Sequence, residues 1–420
     1  KEAMQFEAIY FPAYLDFRGR VYSVDQGGLG PQGTKVGRSL LMPAGEGKAV
    51  GMDALFHELG NVWGYDKDLI DTKIEKAKSL PYAAIAADPL ANTEWLATDE
   101  PAKALACCIE IAAAEASPDP ESYVSRLFVA FDGTNNGLQH LALLTRDADA
   151  AAATNVTSAP FVRRDIYLEV AQAAAAKLSN ETITNHPDLR KLAKTPVMTQ
   201  SYGVTAKGML DQIATANEET GSLLSDDEVK ELRDGIQSSI REAMPAPMAF
   251  ADWIAEVTRL VSESGTAPSW MTPSGSYITP AKHKDYSTYG SQQVRLCGRK
   301  TTLPNFSKPT GIKVGKHVTG SVANFIHSMD ADCLHLTVCK LLDEGVTDIV
   351  MIHDSYSTLS GDAEVLVRVL RDVHAEVYSK DVLESLFLGF QQQTDVVLPR
   401  PPAMGDLDVA DVVESPYFFS

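Results

Sequence analysis

Arg126-Leu-Phe-Val-Ala-Phe-Asp132-Gly133 and Thr347-Asp-Ile-Val-Met-Ile-His-Asp354-Ser-Tyr-Ser-Thr-Leu359 are the two stretches on which the fold turns. The first is an apolar run ending in an acid, the pattern of a buried strand. The second reads as two short strands around a turn, with Asp354 at the turn. A carboxylate at the end of a buried strand is costly unless it is paired, hydrogen-bonded or bound to a cation. The two acids stand more than two hundred residues apart, so they meet only if their strands share one sheet. Together they could clamp two Mg2+ ions about 4 Å apart, a pair that activates a hydroxyl nucleophile and steadies a leaving pyrophosphate. Gly133 could add its carbonyl, since glycine lets the main chain approach closely. For either acid alone, the plainer alternative is a turn or cap residue.

Outward from these strands the chain reads as α+β and mostly helical. Helices are expected at 99–116, 162–179, 188–202, 227–243, 248–263 and 319–344, and through 361–390. Residues 1–50 read as irregular chain with short strands, and 265–317 as loops and hairpins, from their Gly, Pro, Ser and Thr. The 420 residues suit two or three domains of about 150 each. Few strands and many helices suggest a small sheet carrying a large helical insertion.

Hydrophobic residues at 45 % and charged residues at 22 % exclude a disordered chain, a collagen and a disulfide mini-scaffold. Cys107, Cys108, Cys297, Cys333 and Cys339 are odd in number and form no Cys-x-x-Cys, which fits a reduced compartment and argues against zinc. No run is apolar enough to span a membrane, and the first residues lack the order of a signal peptide. The net charge of −19 argues by itself against a nucleic-acid partner. It is only a mean, however. Basic residues gather at Arg295, Arg299, Lys300, Lys308, Lys313, Lys316 and His317, so a basic channel in an acidic body stays open. Gly28-Leu-Gly30-Pro-Gln-Gly33 matches a dinucleotide fingerprint, but no apolar strand precedes it and Pro31 sits inside, so it reads as a loop.

Arg190, Lys194, Met198 and Tyr202 are spaced four apart, and Gly203 follows. On a helix such positions share a face. That face would offer two cations to phosphates, then a soft side chain and a phenol to a base and sugar edge. Gly203 would let another group come close. The alternative is an amphipathic helix with its basic residues in water. Pro196 should kink this helix or mark a late start.

These residues resemble the motifs of the single-subunit phage and mitochondrial RNA polymerases. Asp16-Phe17-Arg18-Gly19-Arg20-Val21-Tyr22 resembles their D-x-R-G-R-x-Y segment. Phe131-Asp132-Gly133 through Gln139-His140 resembles motif A, Arg190 through Gly203 motif B, and Ile352-His353-Asp354-Ser355 motif C. Asn324 through Asp330 resembles the segment with the nucleotide-sensing histidine, here His327. The resemblance implies a right-hand palm and fingers: palm at 1–160 and 328–420, fingers at 161–327. It implies a DNA-dependent RNA polymerase working on ribonucleoside triphosphates, a DNA template and nascent RNA. Asp132, Gly133 and Asp354 would hold two Mg2+, Arg190 and Lys194 the triphosphate, and Tyr202 with His327 would sit near the ribose 2′-OH. Tyr167 resembles the fingers tyrosine beside the nucleotide, and Arg18 and Arg20 would hold hybrid or template.

Three departures bear on this reading. Ala87 stands where relatives carry a phosphate-binding lysine. The long promoter-reading hairpin looks cut to a short stretch around Ser262–Ser269. The first motif begins at Asp16, with no thumb or N-terminal promoter domain ahead of it. That pattern is similar to the catalytic large subunit of the heterodimeric polymerase of N-four-like bacteriophages. It implies a second polypeptide supplying thumb and N-terminal elements, a single-stranded DNA-binding helper, and the cytoplasm of an infected bacterium. The alternatives are a family-A-like DNA polymerase, which usually carries Glu where this chain has Ser355, and a retired polymerase fold serving as an assembly subunit.

Overall fold

The computed structural model describes residues 5–24, 29–157, 163–282, 288–296, 299–306 and 311–420. Gly28, Cys297 and Lys308 lie outside them. The chain forms two compact units. One is Lys1–Ile166, His327–Lys380 and Gly405–Ser420; the other is Tyr167–Ile326 and Asp381–Met404.

The first unit opens with β1 (Ala13–Leu15) and β2 (Val21–Ser23), paired antiparallel around the Asp16–Arg20 turn. Asp16 builds that turn, since its Oδ1 accepts from the N–H of Arg18 at 2.8 Å and of Arg20 at 3.2 Å. Helices α1 (Met52–Gly60) and α2 (Pro101–Glu115) follow, α2 starting on a proline whose missing N–H costs nothing there. β3 (Phe128–Asp132) buries Val129 and Phe131 on one face and ends at Asp132. α3 (Asn136–Thr145) is buried along its whole length.

The second unit is helical: α4 (Ile166–Leu178), α5 (Leu189–Gln200), α6 (Ala206–Glu219), α7 (Asp226–Ala243) and α8 (Pro245–Glu263). The α7 start is fixed by a capping box between Ser225 and Glu228. Two short strands, β4 (Trp270–Met271) and β5 (Tyr277–Ile278), pair antiparallel. A long hairpin, β6 (Thr288–Leu296) with β7 (Arg299–Phe306), comes next. The expected shortening around Ser262–Ser269 is therefore not met. That stretch is the end of α8 and its exit, and a long hairpin exists farther on. It lies within 265–317, where loops and hairpins are expected. Helix α9 (Val314–Asp343) then runs unbroken across the boundary between the units.

β8 (Ile349–Ile352), β9 (Ser355–Leu359), α10 (Ala363–Ser379) and α11 (Val382–Gln391) complete the chain. The three-stranded sheet has the order β8-β9-β3, antiparallel throughout. Residues 381–404 belong to the second unit, although the sequence reading grouped them with 328–420. Their anchor is polar and aromatic. Gln393 exchanges hydrogen bonds with the Ser269 backbone at 2.9 and 2.6 Å, and Phe390 meets the Trp270 ring. No helix among the described residues is long and apolar enough to cross a membrane.

Candidate active site

The sheet brings the two distant acids together. Asp132, last in β3, lies opposite Ser355, first in β9, and Asp354 is the residue before it. The Gly133 N–H donates to the Asp354 carbonyl at 3.4 Å. His353 and Asp354 form a two-residue hairpin turn with His353 at φ 58°. Such turns need a positive φ at the first position, where glycine is the usual choice. The histidine is held instead against Tyr22, edge to face at 5.0 Å. A non-glycine residue in that region stores strain on the order of 1 kcal/mol or more.

Both carboxyls are pushed upward. Loss of hydration and then the Asp354 charge raise Asp132 to about 7, against a hydrogen bond from Ser355. Its surface is open to solvent, so the crowding acts around the carboxyl rather than over it, as at the bottom of a concavity. Asp354 is raised by burial and then by Asp330. Two hard oxygen donors that repel one another suit a hard divalent cation such as Mg2+, and in that sense the residues fit the expected ions. Glycine at 133 also has a packing cause. A Cβ there would stand 3.2 Å from Gln139 Oε1 and 3.3 Å from Asn136 Cβ.

Behind the acids, the Asp16–Tyr22 segment grips α9. Arg20 makes a two-pronged pair with buried Asp330, at 3.0 Å from Nε and 2.6 Å from its outer nitrogen. Asn136 donates to the other Asp330 oxygen at 3.0 Å. Against the upward push of burial, His140 and then Arg20 hold the Asp330 carboxyl well below the usual range. Arg18 is held by Asp16 and Tyr22 and donates to His327 Nδ1 at 2.8 Å. A guanidinium can only donate, so Nδ1 is the bare nitrogen and the proton sits on Nε2. Burial, then Arg20 and Arg18, lower His327 to about 3, so the ring is neutral. The two arginines expected on hybrid or template thus also hold His327 and Asp330. Asp16, Tyr22, Asp330 and His353 are the site neighbours that sequence reasoning did not single out. Asp330 stands three residues after His327, one helical turn away, which is a signal available in the sequence.

In the second unit, α5 presents the expected stripe. Lys194 and Met198 are exposed and Arg190 half-buried, while Leu189, Leu192, Ala193, Pro196, Val197 and Gln200 face inward. The helix continues through Pro196 because packing of this inner face outweighs the lost hydrogen bond. Tyr202 and Gly203 lie in the turn after the helix, Gly203 at φ 73°. A Cβ there would meet Thr319 O only at 3.7 Å, so the left-handed backbone, rather than close approach, accounts for the glycine. Tyr167 is buried with the Arg190 guanidinium 5.6 Å over its ring. In the expected basic cluster, Arg295, Lys300 and Lys316 are exposed, but His317 is buried against the Lys282 backbone.

A second group of metal-binding side chains lies deeper. His140, Cys333 and His374 are buried with ligand atoms within 4.8 Å of one another. Both rings also have partners in the core, His140 Nδ1 the Tyr378 hydroxyl at 2.6 Å and His374 Nδ1 the Leu370 carbonyl at 2.7 Å.

A profile of the family described as DNA-dependent RNA polymerase matches residues 46–396. The chain is 30 % identical over 443 residues to the mitochondrial DNA-directed RNA polymerase 1 of Nicotiana sylvestris, covering 99 % of this chain and 43 % of that protein. It is 31 % identical to the chloroplastic/mitochondrial DNA-directed RNA polymerase 2 of Arabidopsis thaliana, over 99 % and 42 %. To the mitochondrial DNA-directed RNA polymerase of Mus musculus it is 29 % identical, over 99 % and 37 %. The chain spans less than half the length of these relatives, all three of them organellar. A match over most of its residues means that this chain belongs to the DNA-dependent RNA polymerase family of the phage and mitochondrial type.

Proposed function

We propose that this chain carries the catalytic centre of a DNA-dependent RNA polymerase and performs template-directed nucleotidyl transfer from ribonucleoside triphosphates. The observation that carries the reading is the meeting of Asp132 and Asp354 on one small sheet, both with raised affinity for positive charge. The first unit serves as palm and the second as fingers. Asp132, Asp354 and the Gly133 carbonyl would hold two Mg2+, which when bound acidify the primer 3′-hydroxyl and neutralise the departing pyrophosphate. Arg190 and Lys194 bind the triphosphate, Arg190 steadied on the Tyr167 ring. Met198 and Tyr202 flank base and ribose. His327 offers Nε2–H to the 2′-oxygen, and Arg18 keeps it in that tautomer. Exposed Arg295 and Lys300 on the hairpin give an acidic chain a local cationic surface for nucleic acid.

Phe6, Ile9, Tyr10, Tyr14 and Leu15, on or before the first strand, are each exposed. A second polypeptide docks there in our reading, with a single-stranded DNA-binding helper at the start site. The test is extension of an RNA primer on a DNA template with Mg2+ and either ribo- or deoxynucleotides, with and without co-purifying protein. Ribonucleotide extension supports the reading. Preference for deoxynucleotides favours a DNA polymerase, and inactivity in every mixture favours a retired assembly subunit.

A further inference from the structure

The strand that carries Asp132 is an edge strand. Its inner side is laddered to β9, and on its outer side only the far end has main-chain partners among the described residues, where the Asp132 carbonyl accepts from the Ser420 N–H at 3.2 Å and Gly133 bridges Phe419. Its outward main-chain groups need other partners, since an open edge invites slippage and foreign strands. The Ala130 N–H donates to Glu58 Oε2 at 2.8 Å, from α1. The Phe128 carbonyl accepts from Lys103 Nζ, from α2. Lys103 Nζ is also 3.4 Å from Glu58 Oε1, and the two side chains are only 14 % and 6 % exposed. Beside Glu58, the His57 ring stacks on Phe131 at 5.2 Å. One carboxylate and one ammonium thus occupy the places where a neighbouring strand would put a carbonyl and an N–H.

A nearly buried ion pair is a poor source of stability, because desolvation offsets its attraction. What it provides is stiff, directional, charge-assisted hydrogen bonding. Here that stiffness is applied at residues 128 and 130, directly before Asp132. A slip of one residue in β3 would turn Asp132 to the opposite face of the sheet. Because Ala130 turns its N–H outward, Ala130 and Asp132 oppose β9 as non-hydrogen-bonded pairs, where side chains come closest. Small movements of β3 therefore act directly on the spacing between Asp132 and its neighbours on β9.

We propose that Glu58 and Lys103 act as a side-chain substitute for a missing strand, and that this clamp is the positioning device for the Asp132 carboxylate. The proposal rests on the reading of Asp132 as a metal ligand. Glu58→Ala removes both charge and acceptor, Glu58→Gln keeps an acceptor oxygen for Ala130, and Lys103→Met frees the Phe128 carbonyl. Two measurements on the full chain are needed: amide hydrogen exchange across residues 128–132, and Mn2+ binding followed by electron paramagnetic resonance, with Asp132→Asn as reference. In Glu58→Ala we expect faster exchange at Ala130 and Mn2+ affinity lower by roughly tenfold, the scale of losing a supporting partner. Glu58→Gln should recover most of both, and Lys103→Met should fall between. Should Glu58→Ala fail to fold, the other two variants carry the same comparison. Unchanged exchange at Ala130, or faster exchange with unaltered Mn2+ affinity, overturns the clamp. Equal Mn2+ binding by the parent and Asp132→Asn removes the ligand reading itself, and the proposal with it.

Discussion

Two protons decide how this site behaves at the residue scale. One is the proton on His327, whose location on Nε2 follows from the Arg18 contact. Arg18→Met should lower discrimination between ribo- and deoxynucleotides by about fivefold, the worth of about 1 kcal/mol of hydrogen bonding. Nitrogen NMR should at the same time show His327 in mixed tautomers, and a single retained tautomer would count against the account. Tyr202→Phe should keep turnover and relax the same ratio, measured by competitive incorporation. The other is the proton that Asp132, beside Asp354, keeps up to about pH 7. Asp→Asn at either position should nearly abolish transfer, with substantial turnover in both mutants sinking the role. The sign for stability is opposite. Asp132, raised to about 7, binds a proton in the folded state between about pH 4 and 7 that the unfolded chain has released. Stability from this group falls as pH rises through that window, so Asp132→Asn should flatten the dependence there in denaturant unfolding.

Individual elements differ in how far the sequence discloses them. The strand ending at Asp132, the turn at Asp354 and the α5 stripe were legible because period and chemistry agree there. Burial along 128–132 alternates, and four-residue spacing puts Arg190, Lys194 and Met198 on the outer face. α6 was not distinguished, since its ends are marked by a threonine cap and a polar turn within an already helical stretch. The β6–β7 hairpin lies within 265–317, a stretch legible as loops and hairpins from its Gly, Pro, Ser and Thr. The clamp from Glu58 and Lys103 had no signal at all, because it depends on which helices pack beside β3. Arg18 and Arg20 were singled out, but their contacts with His327 and Asp330 were not, because a cation in a motif does not name the side chains that hold it. The β8–β9 turn yields its own prediction. His353→Gly should relieve the left-handed backbone and lose the Tyr22 contact, two effects of about 1 kcal/mol that nearly cancel. His353→Val should cost about 1–3 kcal/mol, since a branched side chain tolerates that backbone worst. Equal denaturant midpoints for the two variants would contradict this account of the turn.

For the whole molecule, acid is the expected weakness. His57, His327 and His374 are each lowered to about 3, burial being the leading cause in every case. Between pH 6.5 and 3 the unfolded chain takes up protons that these rings refuse in the folded state. Their contribution is present above pH 6.5 and is lost as pH falls toward 3. Each ring supplies up to about 1.4 kcal/mol per pH unit. Asp132 and Asp354 act in the reverse direction, but two opposing groups do not offset three. The unfolding midpoint should therefore drop between pH 6.5 and 5, and a midpoint that rises on acidification would refute the balance.

The outer edge of β3 and its inner edge also have different histories. Glu58 and Lys103 precede β3 in the chain, so its outer side at residues 128 and 130 can be covered as soon as it is made. The inner side must wait for β9. At about 5–20 residues per second, Asp132 emerges from the ribosome roughly 10–45 s before Asp354. During that interval helices α4 to α8 of the second unit are synthesised and one strand edge stays unladdered. Pairing across so long a loop is slow to nucleate, and an unpaired edge is where nascent chains cross-associate. A clamp that fixes one side of β3 from the beginning halves the exposed template and keeps the register in which β9 must eventually dock. The site proposed for nucleotidyl transfer is then among the last parts of this protein to be completed during its own synthesis.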